Sequence, residues 1–243
     1  NSNKQGVTLD LDTPTGREIL GKLLAKSQVF IHNLHPTEMD RLEVDYETLR
    51  THNDQLVMAS ITPFGLTGPY RNYKAYDINL AAAGGICEGL GSPDKEPLTF
   101  GTPEVGYFAA MAAASSIVIA LLAGQGQHID IAEVESMAGI YNGPEALMAV
   151  YQWRMTRRTG HHALDFPYPN CILRCKDGYI FVGSPEGRQW RILLEVMGGP
   201  EWAKEERFRN RTRMNNEYAD EVDGYMEEWL LQHSKAELLE LAL

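Results

Sequence analysis

The stretch Leu56-Val-Met-Ala-Ser-Ile61, followed directly by Thr62-Pro-Phe-Gly-Leu-Thr-Gly-Pro69, decides the fold. The apolar run has the length of a buried strand, and a loop with two glycines and two prolines ends it. A helical pattern from about Asp77 to Leu90 comes next. Strand, loop and helix in this order are the unit from which parallel α/β sheets are built.

The same unit recurs on both sides of this stretch. Val29–His32 predicts a strand that ends in the loop Asn33–Pro36, and Gln127–Ile131 predicts a third strand. Alternation at Val7–Leu11 predicts one more. Helical patterns lie between and after these strands, at about 15–27, from 38 onward, at 105–123 and at 132–151. The alternation predicts a parallel sheet flanked by helices, with candidate ligand loops at 32–36 and 62–77.

The pattern changes after a polar stretch at 154–166. Two apolar runs flank Lys176-Asp-Gly178, and an Asp-Gly pair between strands indicates a β-hairpin. Three helices are predicted beyond it, at about 187–197, 217–233 and from 235 onward. We therefore divide the chain into a large α/β domain, residues 1–162, and a small α+β domain, residues 163–243. Trp190, Trp202 and Trp229 fall in apolar helical patterns and are predicted to be core residues.

Composition and charge narrow the class of function. The 243 residues carry 22 Lys and Arg against 33 Asp and Glu, a formal net charge of −11 with no basic half. A nucleic-acid-binding surface is not expected, because phosphate backbones are bound by clustered cations. The three cysteines suit a reducing cytoplasm, and Cys171 and Cys175 are predicted to be packing residues. His161-His162 with Asp165 is a weak metal signal, since adjacent histidines point in diverging directions; no metal is predicted.

Residues 105–129 contain no Asp, Glu, Lys or Arg. An uncharged stretch of this length could span a membrane. The helical part is rich in Ala, Gly and Ser, and neither end carries a flanking cation. Small residues on every side favour a helix buried among close neighbours in a core. We therefore expect a core helix and no membrane partner.

Several strings, in one order over nearly the whole chain, resemble the class III CoA-transferase family, which includes formyl-CoA and carnitine CoA-transferases. The strings are Asn3–Glu18, His32-Asn-Leu-His-Pro36, Ser60–Tyr70, Tyr76-Asp-Ile-Asn79, Gly124–Asp130 and Tyr168–Asn170 with Cys175–Tyr179. The resemblance implies a Rossmann-like large domain, a smaller domain and two subunits interlinked as rings. It therefore implies a homodimer, and this chain is expected to be a fragment of one subunit.

The resemblance also implies an aspartate nucleophile at the start of the long apolar helix. In this chain the matching position is Gly106, which has no side chain to acylate. Glu104, two residues earlier, has two interpretations: a helix-start carboxylate favoured by the helix dipole, or a replacement nucleophile. The related racemases need a histidine and an aspartate where Tyr76 and Gly106 stand, so racemisation is not expected.

The positions that the resemblance assigns to coenzyme A are better retained. Asn33 and Leu34 match a pair that borders the nucleotide, and Arg41 and Lys74 match cations near its phosphates. Tyr76 and Asp77 match residues that line the active site. Each has a simpler interpretation, because Arg41 and Lys74 could be solvated cations and Asp77 a helix cap.

The family implies CoA and acyl-CoA as substrates, a carboxylic acid as acceptor and no tightly bound cofactor. The alternative left open by Gly106 is a catalytically silent CoA-binding or structural domain.

Overall fold

The structure, a computed structural model, describes residues 3–140, 151, 153, 158–160, 162, 166–184 and 186–242. The chain forms two compact units, Asn1–Glu88 with Leu98–Thr156 and Gly89–Pro97 with Arg157–Leu243. The first unit therefore ends a few residues before the predicted boundary, and the segment 89–97 belongs to the second unit. The assignment of a CoA-binding domain to residues 1–162 stays a prediction.

The first unit contains three strands and seven helices within the described residues. In chain order they are α1 Pro14–Leu24, β1 Val29–His32, α2 Pro36–Leu42, α3 Tyr46–Leu49, β2 Val57–Thr62, α4 Asp77–Ala83, α5 Ile86–Gly89, α6 Glu104–Ala123, β3 Gln127–Ala132 and α7 Glu133–Ile140. Thr13 caps α1 by accepting a hydrogen bond from the Gly16 N–H, and Pro14 occupies the first turn, where no N–H is needed.

The strands form a parallel sheet in the order β1-β2-β3. His32 pairs with Ser60, and Ser60 pairs with Asp130. Helices α1 to α3 supply the core on one face, with Leu24, Met39 and Leu42 packed beside Met58. Ile117 and Ala120 of α6 pack on Val57 and Ala59 on the other face. The predicted parallel sheet with helices on its faces is confirmed.

The long helix α6 differs from the prediction of burial on every side. Val105, Ala109, Ala113, Ile117 and Ala120, at intervals of three or four residues, form a single buried face. The opposite side exposes large apolar residues, namely Tyr107, Met111, Val118, Ile119 and Leu122. By length and composition α6 is the one helix of the described residues that could cross a membrane, and 28% of its apolar window is buried.

Two other predictions for the first unit are wrong. Val7–Leu11 is not a strand, because the segment has no strand partner among the described residues and Val7 is exposed. The helix predicted over 77–90 is interrupted at Gly84-Gly85, where Gly85 has a φ of +89°. The helix predicted over 132–151 is described as far as Ile140, and residues 141–150 lie outside the described part.

The described residues of the second unit form an antiparallel hairpin and three α-helices. The elements are β4 Asn170–Cys175, β5 Gly178–Gly183, α8 Gly187–Val196, two 3₁₀ turns at Glu201–Lys204 and Glu206–Phe208, α9 Arg211–Leu230 and α10 Lys235–Ala242. Cys175 pairs with Gly178 across the turn, and the φ of +141° at Gly178 is one that only glycine adopts easily. The predicted hairpin is confirmed.

An aromatic and sulfur-rich core holds this unit together. Tyr168, Cys171, Leu173, Trp190, Phe208, Met214, Val222, Met226 and Leu230 are buried in one cluster. Trp202 and Trp229 pack against it from partly buried positions, so the predictions for the tryptophans and for Cys171 are confirmed. Helix α9 begins at Arg211 rather than 217, because the Asn210 side chain accepts a hydrogen bond from the Arg213 N–H and caps it.

Candidate functional site

One edge of the first unit collects the loops that follow the strands. Because the sheet is parallel, the loops after β1, β2 and β3 all leave from the same edge. Helix α6 runs antiparallel to β3, since only Gly124–Gly126 separate the two elements and the last turns of α6 pack on the beginning of β2. The N-terminus of α6 therefore lies at that edge, together with Gly106.

The loop after β2 is fastened to β3. Asp130 accepts hydrogen bonds from the Leu66 N–H, at 3.0 Å to Oδ2 and 3.2 Å to Oδ1. The Val134 N–H donates to the Pro63 carbonyl at 3.2 Å. Gly65 has a φ of +81° and turns the chain sharply next to the Asp130 carboxylate. These contacts give the Phe-Gly-x-Thr-Gly-Pro string a fixed conformation at the sheet edge.

The same loop carries an exposed aromatic group. The rings of Tyr70 and Tyr73 are 5.3 Å apart, and each packs against Phe64, at 5.8 and 6.4 Å. Arg71, between the two tyrosines, donates to both oxygens of Asp40 on α2 at 2.9 and 2.8 Å. This ion pair joins the loop after β2 to the helix that follows β1.

The predicted nucleotide pair Asn33 and Leu34 lies in the loop after β1, as the topology requires. The Leu34 N–H donates to His32 Nδ1 at 3.2 Å. His35 caps α2 by accepting a hydrogen bond from the Thr37 N–H. Two buried polar atoms near these strand ends, His35 Nε2 and Thr62 Oγ1, have no hydrogen-bond partner among the described residues. Buried polar groups are normally paired, so this edge offers two atoms that a ligand or water could satisfy.

A buried polar cluster lies directly beneath the loop after β1. Ser60 Oγ lies 2.7 Å from His32 Nε2 and 2.8 Å from His128 Nε2, one contact to each neighbouring strand. Burial, with a smaller contribution from the charge of His128, lowers the pKa of His32 to about 4. Burial also lowers the pKa of His128, although the charges of Asp130 and Asp45 oppose the shift. Sequence reasoning missed this cluster, whose members come from three strands.

The two predicted phosphate-binding cations have different surroundings. Arg41 donates to Glu38 at 2.9 and 3.0 Å and also contacts Asp12, so two carboxylates already hold its guanidinium group. Those hydrogen bonds, that of Glu38 first, raise the pKa of Arg41. Lys74 is exposed and has no ion-pair partner in the described part of the chain. Lys74 is therefore the more available cation.

Tyr76 and Asp77 precede and begin α4. Tyr76 is the N-cap residue, its N–H donates to Asn79 Oδ1 at 3.1 Å, and its side chain is 79% exposed. Asp77 is thus the first helical residue and not the cap. Glu133, the first residue after β3, is half-buried, and burial together with the Asp77 charge raises its pKa. Sequence reasoning missed Glu133, which its position directly after a strand could have indicated.

Glu104 and Gly106 lie in the first turn of α6. Glu104 is partly buried, and its carboxylate accepts a hydrogen bond from the Thr102 hydroxyl. Gly106 is exposed, and a Cβ at this position would meet no atom within 4 Å. The backbone at Gly106 could therefore carry an aspartate without a steric clash.

The second unit has its own buried polar group, which we call the Asp223 cluster. His162 Nε2 lies 2.8 Å from Asp223 Oδ2, and the Tyr168 hydroxyl donates to Asp223 Oδ1 at 2.9 Å. Cys171 adjoins them, with potential ligand atoms of His162, Cys171 and Asp223 within 4.8 Å of one another. Burial, and then the Asp223 charge, raise the pKa of Cys171 to about 12, so its thiol stays protonated. We interpret the cluster as a hydrogen-bonded core network; His161 and Asp165, the other members of the weak metal signal, lie outside the described residues.

Comparison with known proteins gives the chain a family context. Residues 1–242 match the family described as CoA-transferase family III. The chain is 31% identical over 247 residues to succinyl-CoA–D-citramalate CoA-transferase of Chloroflexus aurantiacus, covering 97% of this chain and 59% of that protein. It is 29% identical over 267 residues to formyl-CoA:oxalate CoA-transferase of Streptomyces avermitilis, covering 99% and 63%. The chain thus spans about 60% of the length of these relatives.

Solved structures share the fold. A CAIB/BAIF family protein from Brucella suis superposes with a TM-score of 0.79 at 32% identity, over 98% of this chain and 64% of that one. A protein from Mycobacterium tuberculosis superposes with a TM-score of 0.81 at 22% identity, over 99% and 63%.

Proposed function

Because the chain belongs to CoA-transferase family III, we propose that the protein moves CoA between acyl-CoA thioesters and carboxylic acids. The single observation that carries the proposal is the convergence at one sheet edge. The loops after β1 and β2, Glu133 after β3 and the N-terminus of α6 all meet there. An edge of this kind is where parallel α/β sheets bind their ligands.

The nucleotide half of CoA fits the loops after β1 and β2. The Arg71–Asp40 ion pair joins α2 to the loop that contains Lys74, so the cations Arg41 and Lys74 come from connected elements. Phosphates are bound by such cations, with Arg as a planar fork and Lys as a point charge. For Arg41 to bind a phosphate, the anion must replace or join Asp12 and Glu38.

Transfer of CoA requires a carboxylate nucleophile at the reacting end. Its oxygen attacks the thioester carbonyl carbon, the C–S bond breaks, and CoA thiolate leaves behind a mixed anhydride. The thiolate then attacks the enzyme's acyl carbon and releases the donor acid. The acceptor carboxylate attacks the resulting enzyme thioester, and the thiolate finally attacks the acceptor carbonyl, which restores the free carboxylate. Glu104 is the carboxylate that lies nearest in sequence to Gly106.

Gly106 supports a second candidate function, a catalytically silent CoA-binding domain. The resemblance implies an aspartate there, and glycine has no carboxylate to acylate. The two functions differ in one observable, which is whether a carboxylate of this protein becomes covalently activated.

Hydroxylamine trapping separates the two. The intact protein is incubated with succinyl-CoA, the donor named for several relatives, and with hydroxylamine, and hydroxamates are mapped by mass spectrometry. A transferase that uses Glu104 gives a hydroxamate at Glu104 that is lost in Glu104→Gln. A silent domain gives none, whereas Gly106→Asp then gains one, because open space surrounds that position. A wild-type hydroxamate at any residue other than Glu104 would contradict both assignments.

CoA binding is tested separately by calorimetry. Arg41→Ala and Lys74→Ala are each expected to weaken CoA binding by about 1–3 kcal/mol, the scale of hydrogen bonds to charged groups. Arg188→Ala, a substitution of an exposed arginine of the second unit, is the matched control. Unchanged affinity in both Arg41→Ala and Lys74→Ala would contradict the placement of CoA.

We also propose that the protein acts as a homodimer in the cytoplasm. The exposed apolar side of α6, with Leu122 83% exposed, supports self-association, since soluble proteins seldom leave large apolar patches uncovered. Light scattering that shows a monodisperse monomer at micromolar concentration would contradict the dimer.

A further inference from the structure

A continuous chain of hydrogen bonds connects the main chain of the loop after β1 to the interior of the sheet. The Leu34 N–H contacts His32 Nδ1 at 3.2 Å, His32 Nε2 contacts Ser60 Oγ at 2.7 Å, and Ser60 Oγ contacts His128 Nε2 at 2.8 Å. Each of the three strands contributes one side chain. The parallel register makes this possible, because it places His32 directly beside Ser60.

Only one tautomer of neutral His32 satisfies both of its contacts. A backbone N–H can only donate, so His32 Nδ1 must accept from Leu34. The His32 proton therefore resides on Nε2 and is donated to Ser60 Oγ. Ser60 Oγ has one proton and two lone pairs, so beside this bond it can either donate to His128 Nε2 or accept a second hydrogen bond from it. The Leu34 N–H thus sets the His32 tautomer, and Ser60 Oγ stabilises that tautomer by accepting the Nε2 proton.

We propose that His32 and Ser60 are positioning residues that hold the Leu34 main chain in the conformation that binds CoA. The inference rests on the proposed function only for the identity of the ligand. The positioning itself follows from the hydrogen bonds, because a His32 ring with its proton on Nδ1 would face the Leu34 N–H with another donor. Neither residue was a candidate at the sequence level.

The surroundings keep the rings in place. Ser60 is fully buried and His32 is 9% exposed, so neither exchanges its partner freely for water. The His32 ring packs against Phe30 at 5.6 Å. The His128 ring stacks on Tyr46 at 5.5 Å with an interplanar angle of 21°, and Asp45 and Asp130 are the charged groups that act on it.

The tautomer is measured first, in the unmodified intact protein. Long-range ¹H–¹⁵N correlation spectra at pH 7 are expected to show His32 protonated on Nε2 and unprotonated on Nδ1. Two substitutions then separate the two ring nitrogens. His32→Asn keeps an acceptor at the Nδ1 position, whereas His32→Gln keeps a polar group only near the Nε2 position.

Hydrogen exchange at the Leu34 amide then tests the positioning. Exchange is expected to accelerate at least tenfold in His32→Gln and in Ser60→Ala, and to stay within about threefold of wild type in His32→Asn. His233→Gln, in the second unit, is the control and is expected to leave Leu34 unchanged. A wild-type Nδ1–H tautomer, or equal Leu34 exchange in His32→Asn and His32→Gln, would overturn the proposal.

CoA affinity supplies the functional readout. The dissociation constant for CoA is expected to rise about tenfold in His32→Gln and Ser60→Ala, with the maximal rate unchanged wherever turnover is measurable. If wild-type protein binds no CoA, the proposed function fails while the tautomer and exchange results still decide the positioning. A maximal rate that falls with unchanged CoA affinity would instead assign the cluster to the chemical step and overturn the proposal.

Discussion

Both units bury a histidine, but the two histidines have opposite kinds of partner. His32 contacts a serine hydroxyl and a backbone amide, whereas His162 contacts the carboxylate of Asp223. The first lies at the root of a ligand loop, and the second lies in the core against the β4–β5 hairpin. Burial without a charged partner favours the neutral imidazole of His32, and the Leu34 N–H selects its tautomer. A hydrogen bond to a carboxylate, as at His162, is charge-assisted and holds the core together.

The largest expected effect is the loss of the carboxylate in the second unit. Asp223→Ala removes the acceptor of two buried hydrogen bonds, from His162 and Tyr168, and should lower the free energy of unfolding by about 3–5 kcal/mol. Urea unfolding followed by tryptophan fluorescence reports mainly this unit, because three of the four tryptophans, Trp190, Trp202 and Trp229, lie in it. The fourth, Trp153, is 90% exposed and should change little on unfolding. Asp220→Ala, an exposed position on the same helix, is the control. A loss below 1 kcal/mol would show that the Asp223 cluster contributes no more than a surface contact.

The second-largest expected effect is a pH dependence of the stability of the first unit, caused by His32. The His32 pKa of about 4 in the folded state lies below the ordinary 6.5, so the unfolded chain binds more protons between these values. The stabilisation is fully present above about pH 6.5 and is lost as the pH falls towards 4, by about 3 kcal/mol.

Hydrogen exchange of the β2 amides between pH 7 and pH 4 measures this difference. The stability gap between wild type and His32→Asn should shrink by that amount, with His233→Asn as control. Parallel curves for wild type and His32→Asn would show that His32 titrates normally and would remove the contrast between the two regions.

The smallest expected effects on stability come from removing single hydroxyl groups, one in each unit. Tyr168→Phe removes one hydrogen bond to a carboxylate and should cost about 2 kcal/mol. Ser60→Ala removes contacts with two imidazoles and should cost about 1 kcal/mol, because half-buried His128 can bind water instead. Each is measured in its own unit, by fluorescence for Tyr168 and by exchange for Ser60. The reverse order would mean that hydrogen bonds to two imidazoles stabilise the fold more than one hydrogen bond to a buried carboxylate does.

Local pattern was sufficient for much of the architecture. The apolar strands at 29–32 and 56–61, the Asp-Gly hairpin and the helix-strand alternation predicted a parallel sheet and a β-hairpin, and both are present. The Phe-Gly-x-Thr-Gly-Pro string indicated the family that the whole-chain match confirms. Such features are readable because strand length, turn chemistry and helical periodicity depend on neighbours within a few residues.

Tertiary structure decided what depends on distant partners. Val7–Leu11 alternates like a strand but has no strand partner among the residues that the structure describes. Helix α6 buries one side because that side packs on the sheet. Arg41 could pair with Glu38 on its own helix from local sequence alone, but only the fold brings Asp12, 29 residues away, to its guanidinium group. His32, Ser60 and His128 meet across separations of 28 and 68 residues. Their contact follows from the register of parallel strands, which crossover connections fix and no local sequence pattern encodes.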